Sequence, residues 1–296
     1  MSTSLTGGSA VALDPQSISN LHDVFPADYT GGVEFEVPLY SFLPDQWTRA
    51  FLKGLAAFDG FDGKKVLELG VGVGINAAYV LQARNPTTLY ATDIDGRCTA
   101  VSAKNVQHNA APENAEKYQP LEGDRNLASW LTEKGFADVV YGCLPQVVRP
   151  TGMDLHEGNT VGHYYDPALY QSDLHHLGLG LNEFALRQLH PLLNSGASVI
   201  LNLSGRPGLG QGLEELLFRK NGYEPRVLHE EVIAQHVMTS IATLADVERE
   251  TGHTFEFFTA QSGAPETQVS ATVAEARRLA GQPVYHKIYV IAGRKI

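Results

Sequence analysis

The sequence predicts an α/β protein with a doubly wound, mainly parallel sheet. Three observations carry that prediction. Short apolar runs alternate with segments of helical spacing over 64–205, glycines cluster after the first run, and carboxylates stand at the ends of successive runs. Parallel strands need crossover connections, and the crossovers place helices on both faces of the sheet.

In order along the chain, residues 1–30 are rich in Gly, Ser, Asp and Pro and read as a loose lead-in. VEFEVPLYSF at 33–42 is expected to be extended, and WTRAFLKGLAAF at 47–58 helical. DGFDGK at 59–64 is a turn before the buried strand KKVLELG at 64–70. Helix 76–84, strand 88–95, helix 96–110, strand 115–124, a short helix at 126–134 and strand 137–145 follow. Residues 146–178 carry Pro, Gly, His and three tyrosines and read as an insertion. A helix near 180–193 leads to a strand at 196–205, and a helix at 212–222 ends on a glycine. The tail gives a strand at 226–235, a helix at 239–252 and a last strand at 283–293 that inserts beside the sheet. No repeat or linker interrupts this pattern. The expected organisation is an N-terminal extension and helical cap at 1–59 and one domain at 60–296 holding the 146–178 insertion.

Composition narrows the function. With 33 acidic and 22 basic residues the net charge is -11, which disfavours a nucleic-acid partner. The two cysteines, Cys98 and Cys143, form no CxxC pair, so neither a disulfide framework nor a zinc cluster is expected. His175 and His176 are adjacent and point apart if helical, and no metal is expected. No secretory start or membrane-length apolar run is visible, so the expected location is cytoplasmic, with no membrane partner.

The strongest local signal is VLELGVGVG at 66–74. Gly70, Gly72 and Gly74 let the backbone turn tightly and approach a ligand. The GxGxG spacing differs from the GxGxxG of dinucleotide sites. Glu68, acidic at the tip of an apolar strand, needs a partner, and a ligand ammonium supplies one directly or through water. Asp93 ends the second strand on the same rim and can accept both hydroxyls of a ribose. Asp95 reads better as the cap of the next helix. Asp124 either accepts from an adenine amino group or caps the helix near Asn126. Gly142, at the tip of the fourth strand, completes the cofactor set.

ELGVGVG followed by ATDID resembles the class I S-adenosylmethionine-dependent methyltransferases over about 60–293. That resemblance implies a Rossmann-like, seven-stranded, mostly parallel sheet whose antiparallel strand is 283–293. It also implies S-adenosylmethionine as methyl donor, held by Glu68, Gly70, Gly72, Gly74, Asp93 and Asp124. GCLPQVVRP at 142–150, LNLSGRPGLGQGLEELLFRKNGYE at 201–224 and VERETGHTFEFF at 247–258 are similar to methionine S-methyltransferases, both plant and free-standing bacterial. VPLYSFLPDQW at 37–47 echoes the stretch before their first strand. The sequence departs from the plant pattern at Ser204 and in VVRP. The Asn-Pro-Pro-aromatic segment of many amino-methylating relatives is replaced by Gly142, Cys143, Leu144, Pro145 and Gln146, which counts against nucleobase or glutamine-amide acceptors. The implied reaction is methylation of the sulfur of L-methionine, the first step of dimethylsulfoniopropionate synthesis. Another small thioether or amino acid is the alternative acceptor.

A thioether has no proton to lose, so alignment rather than a general base is required, with Gln146 and Asn202 as aligning residues, although Asn202 can equally satisfy a neighbouring loop. Arg206, just past the fifth strand, suits an α-carboxylate, and its plain reading is a loop arginine paired with an acid. Tyr164 and Tyr165 in the insertion can surround a sulfonium or simply pack a lid. Glu183 and Asp173 can receive an ammonium, although Glu183 at a helix start also satisfies the dipole. Trp47 is a packing residue or lines the acceptor pocket. The sequence leaves a homodimer open.

Overall fold

The computed structural model describes residues 20–121, 135–149, 152–153, 164–235 and 239–296. The first four strands of the sequence pattern form where expected, with trimmed ends. They are β1 (Lys65–Leu69), β2 (Thr88–Thr92), β3 (Tyr118–Pro120) and β4 (Val139–Gly142). A two-residue parallel pair, β5 (Val147–Val148) and β6 (Tyr164–Tyr165), opens and closes part of the insertion. Then come β7 (Ser198–Ser204), β8 (Tyr223–Ala234), β9 (Phe257–Phe258), β10 (Gln268–Val269) and β11 (Tyr285–Lys295).

β3, β2, β1, β4 and β7 lie side by side and parallel. β11 enters antiparallel between β7 and β8. Among the described residues the main sheet has nine strands rather than the seven expected. The two extra ones have a simple origin. β7 stops with Ser204 opposite Ile288, and β8 already covers one edge of Tyr285. The other edge of Tyr285 is therefore open, and Phe258 of β9 pairs there, with β10 behind it.

Side-chain alternation divides the core into two layers. Val66, Val139, Tyr141, Ile200 and Val290 face one apolar layer with Phe51, Leu52, Leu55, Ala78 and Leu81. Leu67, Leu69, Val140, Leu201 and Leu203 face the other, with Leu181, Leu186, Leu213 and Leu217. The first layer is supplied by α1 (Gln46–Ala56), α2 (Ile75–Arg84) and α3 (Gly96–Asn109). Helix Gly180–Leu189 and the segment Leu209–Phe218 supply the second. That segment starts three residues before the expected 212 and is wound as a π-helix. Helix Ile241–Thr251 ends on left-handed Gly252, as its sequence requires. Helix Ala271–Leu279 has no counterpart in the sequence reading.

Residues 33–38 form no strand. Two asparagines one turn apart on α3 take the place of a neighbouring strand. Asn109 accepts from Glu34 N at 2.9 Å and donates to Glu34 O at 2.9 Å. Asn105 accepts from Glu36 N at 2.8 Å and donates to Glu36 O at 2.9 Å. Asn105 Nδ2 also donates to Val73 O at 2.9 Å, so one amide holds both this segment and the glycine turn.

α1 is fastened to β8 by charge. Arg49 Nη2 lies 2.5 Å and Lys53 Nζ 2.8 Å from the Glu231 carboxylate, with His229 Nε2 at 3.3 Å. His229, with Lys53 and Arg49, holds the Glu231 carboxyl down at about 2 against the opposing effect of burial. A carboxylate depressed in the fold adds stability above its unfolded value, and that stability fades as pH falls toward about 2. Glu231→Gln is therefore expected to lower Tm most above pH 5, with the difference from wild type shrinking on acidification. Thermal melts between pH 3 and pH 7 that show a constant difference contradict this.

Candidate active site

Because β1, β2, β4 and β7 are parallel neighbours, the residues following them gather on one rim. After β1 the chain turns through Gly70, Gly72 and Gly74, with φ of 69°, 53° and 85°. These are left-handed values that a side chain rarely tolerates. A Cβ on Gly74 would also lie 3.0 Å from Ser102 of α3, so the turn and α3 meet without a gap. Gly142 is required for a different reason: a Cβ there would be 2.9 Å from Leu69 O, where β4 ends against β1.

Asp93 staples the tip of β2 to the turn. Its Oδ2 accepts from Gly72 N and its Oδ1 from Asp95 N, both at 2.9 Å. Burial pushes its carboxyl up to about 6, partly offset by these backbone donors. Each oxygen keeps a lone pair for a further donor. Asp95 caps α3 by accepting from Arg97 N at 2.9 Å, as the sequence indicated. The Arg97 guanidinium lies 4.2 Å from the centre of the Tyr40 ring, which brings the N-terminal segment to the start of α3.

Glu68 is wholly buried, and two donors reach it from inside the protein. Asn76 Nδ2 donates to Oε1 at 3.2 Å and the Tyr141 hydroxyl to Oε2 at 3.0 Å. Burial pushes the carboxyl up to about 8 despite these two donors. Glu68 thus ties the start of α2 to β4 beneath the glycine turn. Asp124 lies outside the described residues.

A second group sits at the tips of β4 and β7. The Gln146 side-chain amide clasps the backbone of β7, donating to Asn202 O at 2.9 Å and accepting from Ser204 N at 2.8 Å. Asn202 Nδ2 donates to Trp47 O at 3.0 Å and reaches Cys143 Sγ at 3.4 Å. The Trp47 side chain packs against Ala50, Ile233 and Ile288. Arg206 is only 6% exposed, its Nε donating to Ser204 Oγ at 2.7 Å and its Nη1 reaching Gln235 Oε1 at 3.5 Å. The pairing with a nearby acid that a loop arginine suggests is not made: no described carboxylate forms an ion pair with it. Burial lowers its pKa to about 10, which still leaves it a cation at neutral pH.

Of the remaining residues, Tyr164 pairs with Val147, directly after Gln146. Tyr164 and Tyr165 are buried, and the Tyr165 hydroxyl meets His175 Nδ1 at 3.1 Å. Glu183 accepts from the Ser172 hydroxyl. Asp173 is exposed and lines a groove of about 520 Å³ with Tyr170, Ser172, His175 and Arg187. No described hydrogen bond or ion pair joins Asp173 or Glu183 to Gln146, Asn202 or Arg206. Among the described residues no group of three or more His, Cys, Asp or Glu is placed to hold a metal ion. No described helix is long and apolar enough to cross a membrane.

Sequence reasoning missed Asn105, Ser204 and Gln235. Asn105 and Asn109, four apart on α3, carried the one available signal, since that spacing puts two amides on one helical face.

Residues 41–143, which hold the glycine turn and Asp93, match a family described as lysine methyltransferase. Curated relatives include the methionine S-methyltransferases of Arabidopsis thaliana, 26% identical over 84% of this chain and 25% of that protein, and of Zea mays, 26% identical over 91% and 27%. The fold is that of the class I S-adenosylmethionine-dependent methyltransferases, and the chain resembles methionine S-methyltransferases. It spans about a quarter of the length of the relatives it matches. Similar solved structures include a methyltransferase from Pyrococcus furiosus, with TM-score 0.48 and 15% identity over 88% of this chain and 89% of that one. A precorrin-6y C5,15-methyltransferase from Geobacter metallireducens gives TM-score 0.45 and 12% identity over 92% and 98%.

Proposed function

We propose that this methyltransferase transfers the methyl group of S-adenosylmethionine to the sulfur of free L-methionine, forming S-methylmethionine and S-adenosylhomocysteine. The product would enter dimethylsulfoniopropionate synthesis. One observation carries the choice of acceptor: Arg206 is a buried guanidinium at the tip of β7 with no described carboxylate against it. A buried charge is costly unless an opposite charge compensates it, and the α-carboxylate of an amino acid does so with matching geometry. Gln146, Asn202 and Arg206 lie beyond the 41–143 match, so the lysine methyltransferase description bears on the cofactor half alone.

The glycine turn suits S-adenosylmethionine because no Cβ obstructs it, and the free lone pairs of Asp93 suit ribose hydroxyls. Gly142 keeps β4 closed against β1 beside that crevice. Glu68 acts from below, through Asn76 and Tyr141. When bound, the cofactor supplies an electrophilic methyl group on a sulfonium. Arg206 would hold the thioether substrate beside it, and S-adenosylhomocysteine would be the product left once the methyl group has passed to the thioether sulfur. No proton moves, so no residue is assigned as a general base.

The test is incubation of the purified protein with methyl-labelled cofactor and a panel of amino acids and thioethers. Label in S-methylmethionine supports the reading. Label only in another thioether or amino acid transfers the assignment to that acceptor, and label in an added protein or RNA instead abandons it.

A further inference from the structure

Asn202 carries the same kind of unmet need as Arg206, with the opposite polarity. It is wholly buried. Its amide cannot be turned round, because the Trp47 carbonyl oxygen, 3.0 Å away, accepts and never donates. Nδ2 must face Trp47, so Oδ1 is fixed as well. That oxygen is buried and receives no hydrogen bond from any described residue. An acceptor left without a donor in a dry site is a standing cost, and a ligand that brings a donor relieves it.

The two needs belong to one unit. Gln146 clasps the backbone at Asn202 and at Ser204, and the Ser204 hydroxyl accepts from both Arg206 N at 3.3 Å and Nε at 2.7 Å. The tip of β7 therefore presents an acceptor lacking a donor and, four residues on, a cation lacking an anion. An α-amino acid has both complements, an ammonium and a carboxylate on one carbon. The two acids that the sequence offers for an ammonium are engaged or exposed: Glu183 is bonded to Ser172, and Asp173 is exposed in the groove beside Arg187.

Resting on the amino-acid reading above, we propose that Asn202 Oδ1 accepts from the ammonium of the substrate whose carboxylate Arg206 holds. Asn202 is then the residue that selects α-amino acids over carboxylates with the same thioether tail. The contact is lost for 4-(methylthio)butanoate, which keeps the sulfur and the carboxylate and lacks only the amino group.

The experiment compares kcat/KM for methionine and 4-(methylthio)butanoate, read as S-adenosylhomocysteine formed. The wild type is expected to prefer methionine at least tenfold, since a charge-assisted bond in a dry site is lost with the analogue. Asn202→Leu is expected to lose most of its methionine rate and little of its butanoate rate, bringing the ratio close to one. Damage to packing alone lowers both rates and keeps the ratio, which overturns the proposal. Cys143→Ala removes the other side-chain contact of Asn202 while sparing Oδ1, and it is expected to keep the wild-type ratio. A second measurement needs no variant: in a wild-type complex with S-adenosylhomocysteine and methionine, the amino nitrogen should lie within hydrogen-bond distance of Oδ1, and its placement elsewhere overturns the assignment. Wild-type turnover of both compounds at equal efficiency overturns the role of Asn202 and leaves thioether methylation standing. Turnover of neither removes the methionine reading and this assignment together.

Discussion

Arg206→Ala is expected to reduce kcat/KM for methionine by at least tenfold while S-adenosylhomocysteine binds nearly as tightly as to the wild type. Hydrogen bonds to a charged group contribute about 1.5–3 kcal/mol each, which corresponds to roughly ten- to a hundredfold in rate. Arg206→Lys is expected to recover only part of the loss, because an ammonium keeps the charge and lacks the planar fork. Methionine methyl ester separates carboxylate recognition from general damage. The wild type should discriminate strongly against the ester, and the alanine variant much less. The buried guanidinium has no ionic partner among the described residues, so its removal should not lower Tm as the loss of a paired buried charge does. Equal losses of cofactor-product and methionine binding, accompanied by a lower Tm, would falsify the clamp and make Arg206 a structural part of its loop.

The second large effect is expected at Asn105. Asn105→Leu keeps similar bulk and removes three hydrogen bonds, two to Glu36 and one to Val73. At about 1 kcal/mol net for each bond, the loss is roughly 3 kcal/mol, and Tm should fall by about 6–12 °C for a domain of this size. Affinity for S-adenosylhomocysteine should fall as well, because the Val73 bond anchors the glycine turn. Asn109→Leu is the matched control. It cuts the bonds to Glu34 and leaves Val73 held, so it should cost stability with little change in affinity. Calorimetry and titration on the two variants check this, and equal affinity losses in both would remove the special role of Asn105.

The parts of the molecule that the sequence revealed are those specified locally. β1 and β2 are short, largely apolar runs with an acid near or just past the end, the left-handed turn is spelled by three glycines, and Asp95 precedes its helix by one residue. The unread parts depend on distant partners. Glu68 looked unpaired because Tyr141, its donor, is 73 positions away. Gln146 looked like an aligning residue, and the backbone it clasps is 56 and 58 positions ahead. β9 and β10, two residues each, have no periodicity to detect and exist because β11 outruns β7. Arg206 was visible as a candidate, while its lack of an acid could emerge only from the fold.

The placement of β11 has a consequence for how the protein is made. β7 and β8 share no ladder of their own, and each is paired along its length with β11. During synthesis both strands leave the ribosome well before Tyr285, with open backbone edges of the kind that attract unrelated strands. The five parallel strands can assemble early, but this half of the sheet must wait for residues 285–295. A nascent chain paused between Ala234 and Tyr285 is thus the form most exposed to proteolysis and aggregation, and the one most in need of a chaperone.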